Sequence, residues 1–336
     1  MSLLFRTASE DGSSESCDQG GAGLLYSIII TCHNQQEYIR NAVDSVLSQN
    51  HDSTEVIVVD DGSRDASAEI LNLYASQVTL IFLPVARGAI EARNRGAAAA
   101  KGNYLIFLDG DDLLAPWALQ VHDQIIAEWR PGTIVSGARW FEGPVPQFAP
   151  ADLPENLELV QYESMIDRDR ASGWYTGGFV VKRQDFFRAG GWTPHIFHLD
   201  LLDLAAKLRA SGRSVLVCAP YTMLYRMHDS NSIRNVSACI EAAHELMERE
   251  REGFYPAGQR PRIERLAWYA GIIVCLAKRG MRAGVFKDSF RLLISGWSVI
   301  LAAIVQGSIR RFRGRRPIEI RALEHKQPAI LARATR

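Results

Sequence analysis

The sequence predicts an α/β fold, a mostly parallel sheet flanked by helices, with a helical C-terminal extension. Three observations carry this. From about residue 25 to residue 113, strand-length apolar runs alternate with segments of helical periodicity, the pattern of parallel strands joined by right-handed crossovers. The run from Tyr104 to Leu108 is uninterrupted, and Leu25 to Thr31 reads the same way, as expected of strands buried on both faces. Polar residues gather where these runs stop. The stretch from Tyr104 to Asp112 reads Tyr-Leu-Ile-Phe-Leu-Asp-Gly-Asp-Asp and passes straight from strand into three carboxylates. That is the edge of an open α/β sheet at which ligands bind.

Composition sets the bounds. A chain of 336 residues holds one large domain with an appendage, or two domains. Its 47% hydrophobic content is enough for a sizeable core, and a formal net charge of zero gives no global field to attract nucleic acid. The five cysteines are scattered, with no Cys-x-x-Cys pair, which favours a reducing, cytoplasmic compartment. Residues 1–23 are polar and rich in Gly and Ser, and are expected to be a disordered tail without a secretory signal. The expected organisation is a main domain over 24–230, divided into a ligand-binding half (24–115) and a second half (116–230). A basic helical region over 231–336 follows. No Walker A loop, Gly-x-Gly-x-x-Gly, His-Glu-x-x-His or Gly-x-Ser-x-Gly occurs. What is left is a sheet edge that binds through carboxylates and metal.

In order, the strand at Leu25 leads to a helix expected to start at Asn34, with Glu37 completing a capping box. Ile39, Val43, Val46 and Leu47 recur at helical spacing. A strand from Glu55 to Asp60 runs into Asp61-Gly62-Ser63. A helix at Ile70, Leu71 and Tyr74 and a strand at Val78–Leu83 follow, then Arg87-Gly88 breaks the chain before a helix over Ala89–Ala100. Beyond the acidic run, a helix past Pro116 and a strand over Thr133–Ala138 are expected. Residues 141–160 read as a loop, Phe179–Lys182 as a short apolar segment, and Leu201–Ser211 as a helix with Asp200 and Asp203 at its start. Short strands over Val215–Val217 and Tyr221–Met227 end at His228. Helices are expected over Ala238–Arg251 and Ile263–Lys278. Leu292–Ile309 carries no charge and precedes Arg310-Arg311-Phe312-Arg313-Gly314-Arg315-Arg316. This suits a helix lying in a membrane interface, and equally a helix packed on the main domain.

Three carboxylates so close repel one another unless a cation sits among them, and hard oxygen ligands suit Mg²⁺ or Mn²⁺. Each polar strand end has a plain structural alternative: Asn34 as a cap, Asp61-Gly62 as a turn, Asp200 and Asp203 as helix-dipole partners.

These motifs together resemble family-2 glycosyltransferases, whose fold is called GT-A. Ser27-Ile28-Ile29-Ile30-Thr31-Cys32-His33-Asn34 is similar to the family's opening strand. Val58-Val59-Asp60-Asp61-Gly62-Ser63 resembles its second-strand signature, Arg87-Gly88 with Ala92-Arg93-Asn94 its diphosphate segment, and Phe107-Leu108-Asp109-Gly110-Asp111-Asp112 its Asp-x-Asp element. Weaker similarity continues through Gly190-Gly191-Trp192, the Asp200 region and Tyr225-Arg226-Met227-His228.

The resemblance implies a metal-dependent, inverting transferase. It would move a sugar from a UDP-, GDP- or dTDP-sugar to a saccharide or lipid-linked acceptor in surface-glycan synthesis, with no nucleic acid partner, and would sit peripherally at the inner membrane face through its C-terminus. Thr31, His33, Asn34, Glu37, Asp60 and Asp61 would surround the nucleoside, Asp109 would reach the ribose, Arg93 would approach the diphosphate, and Gly110 would let a diphosphate or a loop come close. Asp109, Asp111, Asp112 and His228 would hold Mg²⁺ or Mn²⁺. Members usually carry Glu-Asp before the acceptor-side helix, the Asp acting as base. Here Asp200-Leu201 stands there; the leucine cannot take a proton, so the base is expected to be Asp200, with Asp203 on the next turn as the other candidate. A nucleotide-sugar-binding protein with a degenerate site and a nucleotidyltransferase are the alternatives.

Overall fold

The computed structural model describes residues 25–149, 152, 154–163, 178–194, 196, 198–229, 235–257, 262–310 and 319–322. The expected tail at 1–23 and the arginine run at 311–316 lie outside them.

The first half alternates as expected: β1 (Tyr26–Cys32), α1 (Ile39–Leu47), β2 (Thr54–Asp60), α2 (Ser67–Asn72), β3 (Thr79–Phe82), α3 (Ala89–Ala99) and β4 (Tyr104–Asp109). There follow β5 (Leu113–Leu114), α4 (Ala118–Trp129), β6 (Thr133–Ser136), β7 (Ala138–Phe141), β8 (Asn156–Tyr162), β9 (Phe179–Lys182), α5 (Arg183–Arg188) and α6 (Asp200–Lys207), which ends in a 3₁₀ turn. The chain continues through β10 (Ser214–Ala219), β11 (Met223–Arg226), α7 (Val236–Glu252), α8 (Arg262–Arg282), α9 (Phe286–Ser295), α10 (Trp297–Arg310) and β12 (Glu319–Ala322).

Nine strands form one sheet in the order β12-β8-β10-β6-β9-β4-β1-β2-β3. Seven of them run in one direction, and β8 and β9 run in the other. A small sheet, β5-β11-β7, stands beside it. Successive side chains on a strand face opposite sides. Ile28 and Ile30 therefore pack against α1 and α4, while Ile29 and Phe107 enter a second cluster on the other face. That second cluster also takes in Trp268, Tyr269, Ile273 and Leu276 of α8 and Leu292 of α9. The C-terminal helices thus share a continuous core with the sheet.

Three expectations are corrected. The helix expected at Asn34 begins at Ile39, and Asn34 does not cap it. Asn34 sits at φ 52° and its Oδ1 accepts from the Arg64 amide at 2.8 Å. The local side-chain bond wins over the capping box because the neighbouring loop supplies an amide within reach. The segment read as a loop over 141–160 contains β8. Leu157 and Leu159 are buried at alternate positions, a two-residue period masked by the flanking prolines and acids. Finally, Leu292–Ile309 does not lie on one helix. It is divided between α9 and α10, which meet at a 54° bend. Gly296 lies at the break, and a Cβ there would stand 2.9 Å from the Leu292 carbonyl and 3.0 Å from the Ile273 side chain.

Candidate active site

Parallel pairing brings the polar strand ends to one edge. Cys32 pairs with Asp60 across β1 and β2, and Thr31 with Asp109 across β1 and β4. Beside them opens a cleft of about 1160 Å³. Thr31, His33, Asp61, Arg93, Asp109, Asp111 and Asp112 line it, together with Arg87, Gly88 and Tyr225. Asn34, Glu37, Asp60, Gly110, Asp200, Asp203 and His228 are not among its lining residues.

The loops around the cleft are held by backbone amides. Both oxygens of Asp61 accept from the loop before α3, Oδ1 from the Arg87 amide and Oδ2 from the Gly88 amide, each at 2.7 Å. His33 Nδ1 donates to the Asp61 carbonyl at 2.7 Å, which fixes the ring. Asp60 is used differently: it accepts from the Ser63 amide at 3.2 Å and from the Ser63 hydroxyl at 2.5 Å, closing the turn at Gly62. Gly110 allows a close approach, although of protein rather than ligand. A Cβ there would meet Gln35 Oε1 at 2.4 Å and the Thr31 carbonyl at 2.8 Å.

Arg93 is the buried centre of the site. One guanidinium nitrogen donates to Asp109 Oδ1 at 2.6 Å and another to Asp200 Oδ2, while Trp192 stacks 5.4 Å from the guanidinium carbon. Burial pushes the Asp200 carboxyl up to about 6, opposed by Arg93 and reinforced by Asp109. Its other oxygen accepts from the Leu201 amide at 2.8 Å. Leu201 is itself buried in the core. Asp203 is fully buried. It accepts from the Thr193 hydroxyl at 2.5 Å and the Tyr255 hydroxyl at 2.7 Å, and pairs with Lys207 at 3.2 Å. These bonds tie α6 to the C-terminal region.

At the other side, Asp111 Oδ2 and His228 Nε2 lie 2.8 Å apart, and the His228 ring stacks on Tyr38 with centroids 5.0 Å apart. Asp112 is buried and accepts from the Arg226 amide at 3.0 Å. Burial, Asp111 and Asp109 push its carboxyl well above the ordinary range. Among the described residues no three His, Cys, Asp or Glu side chains converge as a metal cage. An Asp111 oxygen with a His228 nitrogen nevertheless suits a cation that takes its remaining ligands from water and a diphosphate, as Mg²⁺ does.

Sequence reasoning did not assign Arg226 a role. Its guanidinium lies 5.0 Å from the Tyr38 ring and 4.7 Å from the Phe141 ring, and Nε donates to the Asp111 carbonyl at 3.0 Å. The Tyr225–His228 similarity marked the segment, but nothing in its spacing singled out the arginine. Gln35, whose side chain stands against Gly110, was likewise given no role, and Trp192 was marked only as part of Gly190-Gly191-Trp192, not as the ring against Arg93.

Residues 27–190 match the profile described as Glycosyl transferase family 2. This segment belongs to glycosyl transferase family 2. The matched segment includes Thr31, Asp61, Arg93, Asp109, Asp111 and Asp112 of the cleft and stops before Asp200, Tyr225 and His228. Among curated relatives, the putative teichuronic acid biosynthesis glycosyltransferase TuaG of Bacillus subtilis is 40% identical over 91 residues, 26% of this chain and 36% of TuaG. The uncharacterized glycosyltransferase EpsJ of the same organism is 30% identical over 171 residues, 49% of this chain and 50% of EpsJ. The chain therefore spans about a third to a half of the length of these relatives. In fold, it is similar to S. aureus TarS 1-349 in complex with UDP-GlcNAc, with a TM-score of 0.53 at 16% identity, covering 90% of this chain and 98% of that one. It is also similar to the mannosyltransferase PcManGT of Pyrobaculum calidifontis in complex with GDP-Man and Mn²⁺, with a TM-score of 0.54 at 16% identity, covering 87% and 81%. The GT-A-like α/β architecture expected from the sequence is thereby borne out.

Proposed function

We propose that the cleft binds a nucleoside-diphosphate sugar and that the chain transfers the sugar to an acceptor hydroxyl with inversion. The observation that carries this reading is the convergence of Asp61, Asp109, Asp111 and Arg93 on one cleft at the ends of parallel strands. Thr31, His33 and Asp61 form the nucleoside side. Asp111 and His228, with Asp109 and Asp112 beside them, would hold Mg²⁺ or Mn²⁺. A bound divalent ion of this kind neutralises charge on a leaving diphosphate. Asp200 takes the acceptor proton. Its raised affinity for protons suits a base working near neutral pH, and Arg93 orients it. Direct displacement at the anomeric carbon inverts the configuration. Fold neighbours solved with UDP-GlcNAc and with GDP-Man and Mn²⁺ support a donor of this class. The name of TuaG supports a role in surface-glycan synthesis.

A second reading has a specific observation behind it. Leu201 stands at the family's base position, and both Asp200 oxygens are engaged by Arg93 and the Leu201 amide. A protein that binds nucleotide-sugar without turning it over has the same cleft.

Asp111→Asn tests the donor site. Calorimetric titration with UDP- and GDP-sugars is expected to give Mn²⁺-dependent binding to the parent chain. In the variant that dependence disappears while the melting temperature is kept. Equal Mn²⁺-dependent affinity in both chains contradicts the assignment.

A further inference from the structure

The bent pair α9 and α10 presents one apolar stripe outward. Phe286, Phe290 and Ile294 follow at four-residue spacing along α9, and Trp297 and Leu301 continue the line on α10. All five are between 50% and 66% exposed. The opposite side of the pair is committed to the protein's own core through Leu292, Val299 and Ala302. Ser289 is also buried, and a Cβ on Gly280 of α8 would stand 2.2 Å from its hydroxyl. A pair with one side packed so tightly on α8 cannot be surrounded by lipid on all sides. No single described helix is long and apolar enough to cross a membrane; α9 and α10 have that length and composition only together, across their 54° bend. Lys287 and Arg291 are exposed on α9, one step round from Phe286 and Phe290. Between Asp288 and Glu319 the sequence carries no acid and six arginines, five of them directly after the apolar run.

We propose that this face docks on an anionic lipid surface, with α9 and α10 lying in the interfacial plane, the apolar stripe among the acyl chains and Lys287 and Arg291 at the headgroups. An exposed apolar stripe flanked by cations binds membranes through apolar area and lipid charge together. Trp297 sits mid-stripe, where an amphipathic ring prefers the headgroup boundary. On the two sides of the bend at Gly296, Ile294 and Trp297 are exposed while Leu292 and Val299 are buried. This docking is independent of what the cleft binds.

The test is co-sedimentation of the full chain with vesicles of phosphatidylcholine alone and of phosphatidylcholine and phosphatidylglycerol in equal parts. Binding is expected to the mixed vesicles, to fall as salt is raised, and to be weak on phosphatidylcholine alone. Phe290→Glu with Ile294→Glu should lose about tenfold or more of that binding, with melting temperature and elution volume kept. Lys287→Gln with Arg291→Gln, which leaves the stripe intact, should weaken binding to the mixed vesicles and leave binding to phosphatidylcholine unchanged. Asp111→Asn should bind vesicles like the parent chain, which separates this inference from the transferase reading. Equal binding by the Glu double variant and the parent overturns the proposal. So does a parent that elutes as a dimer in lipid-free buffer and turns monomeric in the double variant, since the stripe then covers a second copy.

Discussion

Replacing Asp200 by Asn is expected to lower turnover by roughly 10²- to 10⁴-fold, the contribution of a positioned general base, while donor affinity barely changes. Asp200 pairs with Arg93 and is not among the residues lining the cleft, so its loss should remove no direct donor contact. The pH profile gives an independent signature. A base works when ionised, and burial pushes this carboxyl up to about 6. Turnover should therefore rise as pH increases through about 6 and level off above it. In the variant that acid limb should vanish. Single-turnover kinetics at saturating donor measures both. Asp203→Asn, measured beside it, should lower the melting temperature and keep turnover, because Asp203 is spent on Thr193, Tyr255 and Lys207. If Asp200→Asn loses donor affinity as much as turnover, the residue only positions Arg93 and the base lies elsewhere.

Arg93→Met is expected to have the largest effect on stability. Removing the buried guanidinium leaves Asp109 and Asp200 without the cation between them. Breaking such a buried pair from one side costs about 3–5 kcal/mol. The cost depends on pH, and its sign follows from Asp200. Its folded-state carboxyl is already raised above the unfolded value of 3.8, to about 6. A carboxyl raised in this way favours the folded state fully only below its unfolded value, and that contribution is lost as pH rises through the folded value. Without Arg93 the carboxyl rises further, so the loss extends to higher pH. The stability deficit of Arg93→Met should accordingly be larger at about pH 8 than at about pH 5. Denaturant melts at the two pH values measure it. A deficit equal at both contradicts the charged-triad account. Donor binding should weaken in the same variant, since Arg93 lines the cleft.

The alternation of elements over residues 25–113 was legible because strand and helix differ in period, and each strand end carried its polar residues with it. Thr31, Asp61 and Asp109 met in one cleft for that reason. What the sequence left hidden depends on tertiary neighbours. Asn34 and Asp60 have the chemistry of nucleoside ligands, yet Arg64 and Ser63 engage them locally. Arg93 looked like a diphosphate contact from its motif, but only packing shows it shared between Asp109 and Asp200. β8 was lost because two alternating leucines are too few to stand out between prolines. The uncharged run at Leu292 was visible, but not its division at Gly296, nor the backward reach of the exposed stripe to Phe286.

The most direct measurement is the product released when the full chain is incubated with Mn²⁺, a panel of UDP-, GDP- and dTDP-sugars and saccharide or lipid-linked acceptors. A transferase with this cleft releases the nucleoside diphosphate of one donor in step with glycosylated acceptor, and the new linkage has the inverted anomeric configuration. Release of pyrophosphate, retention of configuration, or donor binding without release of any product under all these conditions would contradict it.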